Sequence, residues 1–245
     1  MITSTALDAR RAAVLAGLSR GWIETRQSFT ETAKVMADVL ATVLSVAVLL
    51  MFRGKTMPGT GFSVAAMMLP GFLGMSIIFG GISGPTSAIA ADREDGTLLR
   101  AKATPNGMLG YLVGKIVMFA LSTLLKLVVI LVSGIMLVSN VILDARACLL
   151  LTLIFVVGMV ATVPMGVALG SVMKSSLQAL VVPLTCALLV ISSGMFFPIT
   201  VLPTWLQSFA QAFPVYWVGL GARSAMLPTQ MVAAEIGRAS CRERV

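Results

Sequence analysis

Apolar residues in this chain gather into long uncharged blocks, and polar residues are confined to short stretches between them. Residues 56–91, 147–173 and 175–222 contain no Asp, Glu, Lys or Arg. Each block exceeds the roughly 20 residues a helix needs to cross the hydrocarbon layer of a membrane. The pattern predicts spans at about 35–52, 62–91, 112–143, 147–173 and 175–197. The blocks are runs of Leu, Val, Ala, Met and Gly without the alternation, about ten residues at a time, that marks strands of a membrane barrel. The expected fold is therefore all-α, a polytopic membrane helix bundle with five spans.

The segments between the spans carry turn formers and charge. Arg53, Gly54, Lys55, Pro58 and Gly59 form one turn, Asp144 and Arg146 another, and Lys174 with Ser175 and Ser176 a third. The second span is longer than a crossing requires and contains Pro70 and Pro85, so it should be tilted, kinked or broken. The pairs Gly80 and Gly84, Gly110 and Gly114, and Gly166 and Gly170 have the spacing that lets helices approach closely. Residues 1–34 precede the first span. There Leu7, Val14, Leu15, Leu18, Trp22 and Phe29 share one helical face of about 100° while Arg20, Glu24 and Lys34 lie elsewhere, a pattern suited to a helix lying in the membrane interface. Arg11 interrupts that face, and a solvated leader remains the alternative.

Charge then orients the bundle. With the amino terminus inside, ten basic residues (Arg10, Arg11, Arg20, Arg26, Lys34, Arg93, Arg100, Lys102, Lys115 and Lys174) fall on the cytoplasmic side against four (Arg53, Lys55, Arg146 and Arg223) outside, as the bias of basic residues toward the cytoplasmic side of membrane proteins predicts. The net charge of +8 is thus a topological signal and implies no nucleic-acid partner. The 58% hydrophobic and 11% charged content fits a chain embedded in a lipid bilayer rather than a soluble domain, which has about 25% charged residues. The final stretch, 236–245, breaks from this pattern and resembles translated adaptor or vector sequence.

Candidate chemistry is sparse. The sequence has no histidine, no paired carboxylates inside its spans and no cysteine spacing suited to a metal, which argues against an enzyme, a metal site or a bound cofactor. Gly54, Lys55 and Thr56 imitate the end of a phosphate-binding loop, but Leu49 stands where its first glycine belongs. No carboxylate lies mid-span to couple transport to an ion gradient. The one internal charge is Lys126. Either it snorkels from a depth of about 10 Å, or it faces the bundle interior as part of a substrate path or as a partner for Asp38.

The stretch 92–105, DREDGTLLRAKATP, resembles the cytoplasmic signature between the second and third spans of ABC-2 type permeases. A second likeness, running through Gly194, Phe196, Phe197, Pro198, Leu202, Pro203, Trp205, Leu206, Pro214 and Trp217, resembles the outer segment before the last span of that family. In general character the chain is similar to the drug and antibiotic exporters of daunorubicin-resistance type. The resemblance implies a cytoplasmic connecting helix at 1–34, a transmembrane domain at 35–226 with six spans of which five are present, a coupling loop at 92–111, and an outer re-entrant or interfacial segment at 198–222. It further implies that Asp92, Arg93, Glu94, Asp95, Gly96, Thr97, Leu98 and Leu99 contact a separate ABC ATP-binding subunit. That partner would hold ATP and Mg, and the permease would work as a dimer in a bacterial cytoplasmic membrane. The implied function is outward, ATP-driven movement of an amphiphilic drug, antibiotic or lipid-like substrate. An ion-coupled carrier or channel and a non-transport membrane assembly protein are the alternatives.

Overall fold

The computed structural model of the chain describes residues 2–56, 63–104, 106–138, 144–173, 175–193, 195–196, 203, 208, 211 and 213–226, and for residues 2–10, 33 and 176 it describes the backbone. In chain order the helices are α1 (Ile2–Ser28), α2 (Thr32–Met51), α3 (Val64–Ile78), a π-helical turn (Phe79–Ser83), α4 (Gly84–Glu94), α5 (Thr97–Ala103), α6 (Gly107–Leu137), α7 (Ala145–Val172), α8 (Ser176–Ala179), α9 (Val181–Ser192) and α10 (Pro214–Met226).

Helices α3 and α4, joined by the π turn, form one rod at the centre of the bundle. Within the apolar window of Val64–Glu94, 72% of residues are buried, against 11% for Lys34–Met51 and 28% each for α6 and α7. The widened turn sits where the sequence demands it. Pro85 has no N–H to offer the carbonyl of Gly81 and its ring collides with that carbonyl in a regular helix, so the backbone opens by one residue just before it. Leu69, Leu73, Ile77, Ile78 and Ile82 on this rod pack with Phe119, Ile130, Val163, Met195 and Val215 into the main core. Close approach of α7 follows from Gly166 and Gly170, where an added Cβ would lie 2.6 Å and 2.8 Å from the carbonyl oxygens of Ile82 and Thr86. There Thr86 Oγ1 donates to the carbonyl of Gly166 at 2.9 Å.

The expectation of five spans does not hold. Among the described residues four stretches are long and apolar enough to cross a membrane: Lys34–Met51, Val64–Glu94, Gly107–Leu137 and Ala145–Val172. The run expected to cross at 175–197 instead gives a shorter apolar helix, Leu177–Ser192. At 1.5 Å per residue it covers about 24 Å, short of the roughly 30 Å hydrocarbon core. The helix stops at Ser192, where Ser193 caps it, and Pro183 adds an irregularity within it. Pro183 cannot bond to the carbonyl of Ala179, and the helix breaks at Leu180 between α8 and α9. Apolar length alone had concealed this interruption.

Helix α1 packs along the first half of α6. Among its described side chains the buried positions, Gly17, Gly21, Thr25 and Ser28, are small. The apolar arc of Leu15, Trp22 and Phe29 faces outward, each residue being more than half exposed (65%, 58% and 53%). An added Cβ on Gly17 would meet the carbonyl oxygen of Gly110 at 2.7 Å, and one on Gly21 would meet that of Gly114 at 2.7 Å. Two glycine pairs, each spaced by four, thus lie face to face and hold the backbones in contact. Replacing Gly21 by Val should destabilise the protein by about 1–3 kcal/mol through overpacking. Thermal unfolding in detergent would register this loss, whereas Leu15→Ala on the exposed arc should leave the transition in place.

Candidate functional site

Where α1, α4 and α6 converge, four charged side chains and a tyrosine form a cluster. Lys115 of α6 holds two carboxylates, with its Nζ 2.8 Å from Asp92 Oδ2 and 3.3 Å from Glu24 Oε2. Arg20 Nε donates to Glu24 Oε1 at 2.7 Å, and the Tyr111 hydroxyl donates to Asp92 Oδ2 at 2.6 Å. The Arg20 guanidinium and the Lys115 ammonium lie 5.3 Å and 5.6 Å from the Tyr111 ring centroid. The Lys115 side chain is only 10% exposed and its partners 16% and 19%, so water screens these pairs poorly. Glu24 and Tyr111 were not distinguished by sequence, and Lys115 counted only as a topological charge. A signal was present nonetheless: Gly114 precedes Lys115 directly, Gly21 lies three residues before Glu24, and these glycines allow the close approach that joins the two charges.

The eight residues expected to contact an ATP-binding subunit divide into inward and outward sets. Asp92 turns into the cluster. Arg93 Nη1 donates to the carbonyls of Ser171 at 2.7 Å and Met173 at 3.2 Å, tying the end of α4 to the carboxyl end of α7, where carbonyls lack helical partners. Gly96 has φ +72°, a left-handed conformation that lets the chain turn from α4 into α5. Leu98 is buried against Ile89, Ala101 and Tyr111, while Leu99 is 68% exposed beside exposed Glu94, Asp95 and Arg100. Thr97 is half-buried. Of the outer-segment residues, Pro203 is exposed. Phe197, Pro198 and Trp205 lie outside the described residues.

Beside the cluster a cavity of about 750 Å³ opens between α1, α2, the π turn, α4 and α6. Lys126 lines it, and its Nζ lies 2.8 Å from Asp38 Oδ1 on α2. An apolar groove of about 360 Å³, walled by Phe29, Val35, Val39, Val43, Leu125 and Val129, lies on the other side of that pair. Ser28, Asp38, Ser122 and Lys126 border both spaces. Most hydroxyls on the membrane helices bond to the carbonyl four residues back, as Thr42, Ser45, Ser76 and Thr162 do. Ser122 and Thr123, 9% and 1% exposed, have no such bond to any described residue, and both line the polar cavity. Among the described residues no group of three or more His, Cys, Asp or Glu side chains gathers as a metal-ligand set.

Removal of Lys115 would leave two carboxylates facing each other in a poorly hydrated site. Lys115→Met should cost about 3 kcal/mol, near the lower bound for breaking a buried pair. Neutralising both partners in a Lys115→Met, Glu24→Gln, Asp92→Asn variant should recover most of the loss, as followed by thermal unfolding.

No curated protein matches the chain. The family described as ABC-2 type transporter matches residues 14–227. That stretch contains the four membrane-long helices of the described residues and all the charged groups of the cluster and cavity, so the chain belongs to the ABC-2 type transporter family, whose members are non-catalytic membrane subunits that pair with ATP-binding cassette subunits.

Proposed function

We propose that this chain is the permease subunit of an ATP-driven exporter that moves an amphiphilic drug, antibiotic or lipid-like substrate outward across a bacterial cytoplasmic membrane. It works as a permease dimer with ATP-binding subunits, and ATP and Mg bind in those partners. Helix α1 and residues 92–111 face the cytoplasm, a reading supported by the excess of basic residues on that side.

The observation that carries this proposal is the exposed corner at Glu94, Asp95, Leu99 and Arg100, together with its anchoring. A docking surface needs charge at its rim for orientation and an apolar anchor that loses water on contact, and this corner offers both. Asp92 fastens it to α6 and α1 through Lys115, and Arg93 fastens it to α7. Displacement of the corner by an ATP-binding subunit would therefore be delivered to three helices at once. The site residues for coupling are Glu94, Asp95 and Leu99 at the contact, with Asp92, Arg93, Gly96, Thr97 and Leu98 holding its shape. Lys126 lies on the substrate path.

Glu94→Lys combined with Leu99→Asp should abolish co-purification with the ATP-binding subunit and substrate efflux while membrane insertion remains intact. Leu98→Asp is a poorer test because it places a charge in a packed cluster. If the Glu94, Leu99 variant still assembles and transports, the corner is not the coupling contact. Orientation is checked separately in a cysteine-free background. A single cysteine at Asp95 should resist an impermeant thiol reagent added outside intact cells, whereas one at Asp144, the exposed start of α7, should react. The opposite pattern would invert the assignment.

A further inference from the structure

We propose that the Asp38–Lys126 pair is the latch of a lateral binding site, and that its ligand is an amphiphile with one anionic head group and an apolar tail. This deepens the exporter reading and rests on it for the direction of travel, but binding itself requires no motor.

The polar cavity and the apolar groove share a boundary, and the ion pair is part of it. Asp38 and Lys126 border both spaces, as do Ser28 and Ser122. The groove is lined by valines, Leu125 and Phe29, suited to a tail. The polar space presents ammonium, carboxylate and hydroxyl groups, suited to a head. Both volumes, about 360 Å³ and 750 Å³, lie in the range of small-molecule sites, about 300–1,000 Å³.

Charge limits how the head can enter. At the boundary itself stand one cation, Lys126, and one anion, Asp38, while Lys34 lines the polar cavity alone. The Lys34 ammonium lies 5.8 Å from the Phe119 ring centroid, and no described carboxylate is within 4.0 Å of it. Among the other charged groups bordering the cavity, Arg20, Glu24, Asp92 and Lys115 neutralise one another, Glu31 and Asp38 both act on the charge of Lys34, and Asp95 is exposed at the margin. The sign of the head is therefore set by which member of the pair it replaces. A head that takes the place of Asp38 at Lys126 is anionic, whereas one taking the place of Lys126 would lie in a cavity that Lys34 also lines.

Hydrogen bonding points to the same place. Ser122 is one turn before Lys126 on α6, and its hydroxyl and that of Thr123 lack partners among the described residues. Hydroxyl donors beside an ammonium suit an oxyanion, since charge-assisted hydrogen bonds offset the loss of water. An arriving anion must compete with Asp38 for Lys126. Asp38 has a second cation at hand, Lys34 one turn back on the same helix, a spacing at which side chains interact. Loading would thus pass Asp38 from Lys126 to Lys34, part the boundary and join groove to cavity.

The test uses the full chain in decyl maltoside, with native mass spectrometry reporting bound dodecyl phosphate, dodecyltrimethylammonium and inorganic phosphate. Dodecyl phosphate should bind one per chain and about tenfold more tightly than the cationic analogue. Lys126→Gln should weaken it about tenfold, as loss of a charge-assisted hydrogen bond does, and Lys126→Arg should retain binding. Asp38→Asn should strengthen it, because the competitor for Lys126 is gone. A pair that is merely structural would show both neutralising changes acting in the same direction, and that outcome overturns the proposal. So does tighter binding of the cation. Leu125→Trp, which fills the groove, should weaken dodecyl phosphate. Inorganic phosphate binding as tightly as dodecyl phosphate would reveal a free-anion site and refute the amphiphile. Should Lys126→Gln fail to fold, Lys126→Arg and Asp38→Asn still decide the matter. Because no ATP-binding subunit is present, failure here leaves the export reading standing, and failure of the Glu94, Leu99 test leaves this binding measurement unaffected.

Discussion

A cation in a poorly hydrated site must find its counter-charge from the protein, and at the base of this bundle Lys115 finds two. Neither carboxylate comes from its own helix: Glu24 arrives on α1 and Asp92 at the end of α4. An arrangement of this kind is specific rather than strongly stabilising, since removing ions from water costs nearly what their attraction returns. Its consequence is geometric. The three helices can meet only in a register that brings all three groups within reach, and the register is possible only because Gly17 and Gly21 face Gly110 and Gly114 with no side chain between them. The glycines set the distance and the charges set the alignment. The corner at Glu94 to Arg100 and the cavity beside α6 both depend on that junction.

How much of this was legible follows from what each signal measures. Apolar length identified four of the membrane helices because hydrophobic thickness is a property of composition. It failed at 175–197 because the helix stops at Ser192, and hydropathy does not register where a helix is capped. The family resemblance singled out residues 92–99 but could not tell which side chains turn inward. Leu98 and Leu99 are identical in type and adjacent in sequence, yet one is buried against Tyr111 and the other is 68% exposed. Only the left-handed turn at Gly96 and the direction of α5 separate them. The arc on α1 was visible as an interfacial pattern, but the contact with α6 is made by small residues beside it, which hydrophobicity cannot detect.

Lys126 shows the same division. Its position within an apolar run marked it as costly and therefore worth attention, and Asp38 was one of two readings open to it. What sequence could not supply is that this pair lies between two spaces of opposite character, or that Ser122 and Thr123 fail to make the backbone bonds that neighbouring hydroxyls make. Such facts concern emptiness around side chains, and emptiness has no residue type.

The junction and the latch are parts of one helix face. Lys115 and Lys126 are eleven residues apart on α6, three turns with a net rotation of about 20°, so both project to the same side with about 16 Å between them. Both border the same cavity. A rotation of α6 that strained the contacts of Lys115 with Asp92 would carry Lys126 in the same sense, and the 2.8 Å contact with Asp38 tolerates little displacement, because hydrogen-bond geometry weakens steeply once distance and angle are lost. Helix α2 has few packing partners to make it follow, only 11% of its apolar window being buried. Motion imposed at the α4 corner would therefore part α6 from α2 at the boundary where the polar cavity meets the groove, and a rigid helix with two lysines on one face is sufficient to connect the two events.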